Sequence, residues 1–393
     1  MRPAALTPAE LFDTLTLDAR GRALAERFAA LGLPGNKTEQ YRHFAVKPLL
    51  TQPYALSRTE QPAPPVHENT LEITDGIVTA VPQQVAVTFD AAFAPEPEHF
   101  DALYFLSHLL VPHTVVLTVQ EDAVLNITHR LTKAQTLLSC RIVLKTAPGT
   151  EVSVYETFAP GESAGSLLLY GVDVKVGKKA SLTWIRNQSS DEDEAAVIGT
   201  HRYDIGAEAV FRLQTFDFGS GIALHLYRND LAEHADARLD HLLFASGRAR
   251  RGNVVRLRHN GENSTALHRA KSIVKESATG IFDGLVRVDQ AARFTSARQH
   301  SQAILLNDGA FMYAKPQLEI YTDELEASHG ATTGQLDEAA LFYLRSRGIP
   351  ADESRKILIL AFANEMIDAV QDDTIAAEIS KAFESAYYTK ETL

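Results

Sequence analysis

The sequence predicts a mainly β fold with helical ends, its long middle wound as a parallel β-helix or stacked as a β-sandwich or jelly roll. From about residue 71 to 321, short alternating apolar–polar runs are separated by Gly, Asp and Asn turn signals, with little helical periodicity. A repeat runs through them: VKVGKKASLTW and YDIGAEAVFRL align with Gly177 over Gly206, Ala180 over Ala209 and Leu182 over Phe211, 29 residues apart. TAPGTEVSV lies a similar distance upstream, with Val152 under Leu182 and Val154 under Trp184. VDQAARFTS and LNDGAFMYA repeat the pattern at a shorter interval. Strand, tight turn, small residue and strand at a fixed period suit coils that stack like residues inward. Many short strands also suit a sandwich, so spacing alone leaves both architectures open.

The flanks change period. Over residues 7–31, Leu11, Leu15, Leu24, Phe28 and Leu31 recur at helical spacing, and Gly32, Pro34 and Gly35 end the pattern. The first residues, MRPAALTPAELFDTLTLDARGRA, lack the basic-then-apolar order of a signal peptide and read as an amphipathic helix, so the expected location is the cytoplasm. Residues 54–68, containing QPAPPV, read as an extended linker. From residue 336 the pattern is helical again: Asp337 is a plausible N-cap, and Gly348 followed by Pro350 is a stop signal. Further helices are expected over residues 352–370 and 374–387. The run ILILAFA (357–363) is apolar almost all round, so the β-domain or another protein must cover it on more than one side. The expected units are residues 1–70, 71–335 and 336–393.

Composition narrows the function classes. A chain of 393 residues exceeds one ordinary core, and 45% hydrophobic with 22% charged residues is typical of soluble globular proteins. No apolar run reaches the roughly 18 residues of a membrane span. A net charge of −12 argues against a general phosphate-backbone binder. Arg248, Arg250, Arg251, Arg256 and Arg258 crowd together, but alternate arginines in a strand-rich region form one solvated face. Cys140 is the only cysteine and sits in the apolar run LLSCRIVLK, where it reads as a small buried hydrophobe. Iron–sulfur clusters generally need about four ligands, mostly thiolates, so this chain alone cannot hold one. GxxxxGK[ST] and HExxH are absent, GxSxG occurs only as GESAG at residues 161–165 between two strand-like runs, and the two glycines of FGSG, Gly219 and Gly221, mark a lone turn. His225, His234, His241, His259 and His268 fall in one stretch, which makes a stand-alone β-helical metalloprotein or enzyme the rival function. Their spacings match no metal motif. The acidic run Glu319, Asp323, Glu324 and Glu326 reads as a solvated strand end, and no catalytic residues emerge.

The segment FDGLVRVDQAARFTSARQHSQAILLNDGAFMYAKPQLEIYTDEL, beginning at Phe282, resembles the core repeat of the SufB/SufD family of iron–sulfur cluster assembly scaffold proteins. Thr295, Ala297 and Gln299 match its TxAxQ coil, and residues 315–325 match KPxLEIYADDV. HGATxGxxDxxxLFYLxSRGI follows at residues 329–349. KTEQYRHFAVKPLL is similar to the family's TExWKYTPL box, with Tyr41 where tryptophan is usual. The match is close over about the last hundred residues and loose before them, and its KP-LEIY spelling resembles the SufD branch rather than SufB. The resemblance implies an N-terminal helical domain, a right-handed parallel β-helix core and a C-terminal helical domain. It implies a non-enzymatic subunit that pairs with a SufB-like paralogue, or with itself, and works with a SufC-like ABC ATPase. The iron–sulfur cluster would be transient cargo of the complex, with no cofactor held stably by this chain alone. SufD proteins often carry cysteine two positions before the histidine of HGAT; here that position is Ala327. His329 remains as the candidate cluster ligand shared with SufB. Pairing strands are expected near residues 303–321, with Pro316 tolerated at an edge, and His329 at the strand-to-helix junction. The helices of residues 336–370 are expected to dock the ATPase through Phe342, Arg345, Arg347 and Ile349.

Overall fold

The computed structural model describes residues 19–388, except residues 36, 45, 57–60, 91–98, 112 and 160. The expected amphipathic start and its signal-peptide reading therefore fall mostly outside the described residues, where the first helix is Ala19–Leu31. The chain then winds as a β-helix. Successive strands alternate between two sheets, and each pairs in parallel with the strand two places further on. In the front sheet Thr136–Thr146, Leu167–Val176, Ala196–Ile205, Ile222–Leu231, Arg250–His259, Thr279–Val288 and Phe311–Ile320 stack in that order. The back sheet stacks Ala123–Arg130, Glu151–Ala159, Ser181–Ser189, Val210–Gly219, Asp236–Ala245, Thr265–Val274, Thr295–Leu305 and Leu325–Gly334. Parallel pairing of strands one coil apart excludes a sandwich of antiparallel hairpins. Val152 pairs with Leu182 and Leu182 with Phe211, while Val154 pairs with Trp184, as the repeat predicts.

The small residue of the repeat has a steric cause. Ala180, Ala209 and Ala235 each donate their N–H to the carbonyl three residues back, at 3.1, 3.2 and 3.2 Å, closing a tight corner at one edge. Ala249, Ala278 and Ala310 close the opposite edge in the same way. The shorter repeat interval thus separates corners on opposite edges. Lys179, Glu208 and His234, each just before the alanine, hold left-handed φ values of 60°, 59° and 55°.

Each sheet buries both faces. Inward positions such as Val172, Leu182, Trp184, Phe211, Leu213 and Leu239 form the core of the coil. Outside the front sheet, Leu167, Leu169, Ile198, Leu224, Leu226 and Val254 pack with Leu24, Phe28, Tyr41 and Phe44 of the N-terminal segment. Between these layers lies a helix absent from the sequence expectations, Ala102–Leu110, whose N-cap Asp101 accepts from the Tyr104 N–H at 3.2 Å. Its sequence ALYFLSHLL is apolar all round because both sides are covered, so it shows no amphipathic period and reads like a strand.

The back sheet is covered by Glu338–Ser346, Ala351–Ile367 and Asp373–Tyr388. Asp337 caps the first of these, accepting from the Ala339 and Ala340 N–H groups at 2.8 and 3.2 Å. Ile359, Ala363, Met366 and Ile367 bury against Phe216, Phe218, Leu242, Phe244 and Ile273. Phe383 inserts between Phe218 and Phe244, ring centroids 5.4 and 5.7 Å away. The β-domain therefore covers ILILAFA, and that run is not the exposed docking surface its hydrophobicity suggests. No helix among the described residues is long and apolar enough to cross a membrane.

Candidate functional site at the open end of the β-helix

The two ends of the coil stack differ. At the start the sheets finish on short strands: the five-residue Ala86–Asp90 lies antiparallel on Thr114–Val119, and the two-residue Val66–His67 lies on Ile77–Pro82, itself antiparallel to Thr70–Thr74. At the far end, the strands Phe311–Ile320 and Leu325–Gly334 each have one neighbour and present an unpaired edge. The expected edge at residues 303–321 thus holds its last even-numbered coil strand, and Pro316 lies within it, opposite Gly284. Phe311, Ile320 and Tyr321 are large apolar side chains left exposed there. The N-terminal segment reaches this edge: Lys315 ion-pairs with Glu39, and the Tyr313 ring stacks on His43 at 3.8 Å.

His329 is not at a strand-to-helix junction. It stands in the middle of the last strand, exposed, and the next helix begins at Glu338. The strand continues because Leu325 to Gly334 pair residue by residue with Thr295 to Ile304. Thr295, Ala297 and Gln299 are buried while Ser296 and Arg298 are not, so the TxAxQ spacing is the inward face of a strand. Ala327 pairs with Ala297 and His329 with Gln299, which puts both on the same inward-facing columns at the open end.

Behind the edge, the lumen is polar where its residue types would suggest an exterior. His225, His241, His259 and His268 are buried rather than lying on coil exteriors; His234 is at an exposed corner. Burial holds His225 and His241 well below the usual imidazole range and lowers His259 and His268 to about 4. Arg186 also points inward, donating to the Tyr227 hydroxyl at 2.5 Å and meeting His201 Nε2 at 3.3 Å. His201 Nε2 lies 3.1 Å from His225 Nδ1, and His225 Nε2 lies 3.0 Å from Gln188 Oε1. Glu156 joins His129 Nε2 at 2.9 Å and accepts from the Trp184 indole at 3.0 Å. A Cβ at Gly199 would collide with the ring nitrogens of His201 and His225. The sequence signal for these groups is parity: Arg186 and Gln188 share the odd–even phase of Leu182 and Trp184. Among the described residues no group of three or more His, Cys, Asp or Glu side chains is disposed to hold a metal ion. His201 and His225 are thus spent on one another and on Gln188, His241 Nδ1 on the Thr215 hydroxyl and His259 Nδ1 on the Ser264 hydroxyl.

The arginine cluster is mostly neutralised within the fold. Arg251 is buried and pairs with Asp217, while Arg256 and Arg258 pair with Asp283 and Asp289 at 2.8 and 2.6 Å. Arg250 reaches the His43 carbonyl at 3.4 Å. Cys140 is buried inside the coil, and burial pushes its thiol up to about 12. The helix Glu338–Ser346 turns Phe342 outward, 73% exposed, beside exposed Tyr343 and Arg345. Arg347 lies over the Tyr343 ring at 5.3 Å, and Ile349 is half-buried.

A parallel coil with two long unpaired edges at one end and helices on both outer faces defines a β-helical protein. The family profile described as SUF system FeS cluster assembly, SufBD core domain, matches residues 129–362, more than half of the chain, and the chain belongs to this family. It is 34% identical over 201 residues to an iron–sulfur cluster assembly SufBD family protein of Synechocystis, covering 50% of this chain and 44% of that protein. It is 39% identical over 117 residues to the iron–sulfur cluster assembly protein SufD of Escherichia coli, covering 30% of this chain and 27% of that one. With SufD of Bacillus subtilis the identity is 29% over 126 residues, covering 32% and 29%. The chain thus spans less than half the length of each of these relatives.

Proposed function

We propose that this chain is a non-catalytic, SufD-like scaffold subunit that pairs with a SufB-like paralogue through the open end of its β-helix. The observation that carries this reading is the asymmetry of the coil. One end finishes on short strands of two and five residues, and the other offers two ten-residue unpaired edges, the ordinary template for strand addition. His329 stands on one of them. Neutral imidazole suits iron, and one nitrogen donor here beside thiolates from the partner would make a cluster site that exists only in the assembled complex. Ala327 removes any thiol from this side, so the partner supplies the sulfur ligands.

The SufC-like ATPase docks, in this reading, on the helix Glu338–Ser346. The support is the exposed aromatic and basic face of Phe342, Tyr343, Arg345 and Arg347 rather than ILILAFA. The cluster is cargo, and the isolated chain holds neither cluster nor cofactor. The deciding experiment reconstitutes the chain with its paralogue and ATPase and follows cluster build-up by absorbance. His329→Ala should leave folding and complex formation intact and prevent stable build-up, while Cys140→Ser should change little. Normal rate and yield in the His329→Ala complex would falsify the ligand role.

A further inference from the structure

Seven buried polar atoms lie together in the last coils without a hydrogen-bond partner in the chain: His241 Nε2, both ring nitrogens of His268, both amide atoms of Gln299, Ser301 Oγ and Asn253 Oδ1. None of the five side chains belongs to a residue more than 4% exposed. They share one stretch of lumen. His268 pairs with Gln299, and Gln299 with His329, along one column of the back sheet. Ser301 stands two residues further along the strand from Gln299. Gln299 also crosses towards the front sheet, because a Cβ on Gly284 would strike its amide nitrogen. Going the other way along the His268 column, Leu239, Leu213 and Trp184 replace these polar groups, whereas the neighbouring column of Ser301 and His241 runs on to Thr215 and Arg186.

Such groups are rarely left empty-handed in a folded protein, since each unpaired one costs on the order of 1–3 kcal/mol. The mixture of types selects the ligand. Burial keeps both imidazoles neutral, so each offers one donor and one acceptor, and Gln299 and Ser301 add more of both. A cation would leave the donors unmatched and an anion the acceptors. Water matches both.

We infer that the last coils enclose ordered water among the side chains of His241, Asn253, His268, Gln299 and Ser301, at the inner end of the column that carries His329. Its consequence rests on the reading of His329 given above: once a second chain covers the open edge, this water remains next to that residue's column. The water itself is a property of the isolated chain. A crystal structure of that chain should show about two or more waters bridging these five side chains. Gln299→Met and His268→Phe, which keep shape and remove polarity, should each lower the melting temperature by roughly 2 °C or more, because the bridging network is lost. A dry interior, a metal ion in that space, or a Gln299→Met chain that melts at or above the parent temperature overturns the inference. Neither partner nor cluster enters these measurements, so their failure is distinct from normal cluster build-up by His329→Ala.

Discussion

The most exacting test of the packing is Asp173→Asn. Asp173 lies on the outer face of the front sheet beneath the helix Ala102–Leu110, buried with Arg141. It ion-pairs with the Arg141 guanidinium, accepts from the Tyr104 hydroxyl at 2.6 Å and lies 3.3 Å from His108 Nε2. Burial alone pushes this carboxyl up, but Arg141, His108 and Tyr104 overcome it and hold it well below the usual carboxylate range. Arg141 also donates to the Thr200 carbonyl and hydroxyl at 2.7 and 2.9 Å, passing over Gly171, where a Cβ would block it. Amidation therefore strands a fixed positive charge with only neutral partners. Breaking a buried pair by removing one partner costs about 3–5 kcal/mol. Unfolding entropy of about 2 cal/mol/K per residue gives a chain of this size roughly 0.8 kcal/mol/K, so the melting temperature should fall by about 5 °C. Urea titration should show a lower midpoint with an unchanged slope. Adding Arg141→Met should recover more than half of the loss, because the stranded charge leaves with it. A loss below about 1 kcal/mol, or a double variant no more stable than the single one, would refute the clamp.

Acid should destabilise the chain through its interior. His99, His201, His225, His241, His259 and His268 are all held below the usual imidazole range by burial. The unfolded chain takes up these protons near pH 6.5 and the native chain does not, so this stability is present above that pH and lost as pH falls. At pH 5 each histidine accounts for about 2 kcal/mol. Asp101 opposes it as a single group, since burial raises its carboxyl to about 6 against the Tyr41 hydrogen bond. Equal urea midpoints at pH 7 and 5 would contradict the buried neutral set. Phe383→Ala should cost about 3–5 kcal/mol and release the C-terminal helices to limited proteolysis, while unchanged cleavage would mean that they are held elsewhere. Arg345→Glu with Arg347→Glu should abolish co-purification of the ATPase at an unchanged melting temperature, and normal recovery would move the docking site. Gly199→Ala should lower stability by at least about 2 kcal/mol, because its methyl group meets His201 and His225, and a parent-like midpoint would show that the rings can move aside.

Much of this architecture was legible in the sequence, and the reasons for the misses are physical. Leu182 over Phe211 and Val154 under Trp184 pointed to stacked coils without excluding a sandwich, and the parallel pairing of those residues decides between the two. The repeat fades elsewhere because corners differ in length: Val210 pairs with Asp236, but Thr279 with Phe311. Helix Ala102–Leu110 was hidden by burial on two sides. The lumen was misjudged for another reason. Histidine, arginine and glutamine are expected outside, yet Arg186, His268 and Gln299 occupy inward phases where partners, or water, can satisfy them. His329 was wrongly placed, since the glycine after it suggested a strand end while the backbone pairing runs on to Gly334.

The short strands at the start of the coil have a consequence for assembly. Strand edges usually threaten open-ended polymerisation, because each added chain presents a new edge. Here the terminal strands at one pole, Ala86–Asp90 and Val66–His67, are only five and two residues long, too short to template much pairing. Helices from the two ends of the sequence insulate the flanks. A molecule with one adhesive pole can join one other like itself, pole to pole, and then has nothing further to offer. Pairing through that pole alone, as proposed above, would stop at two chains and make the sheet a closed joint rather than the seed of a fibre.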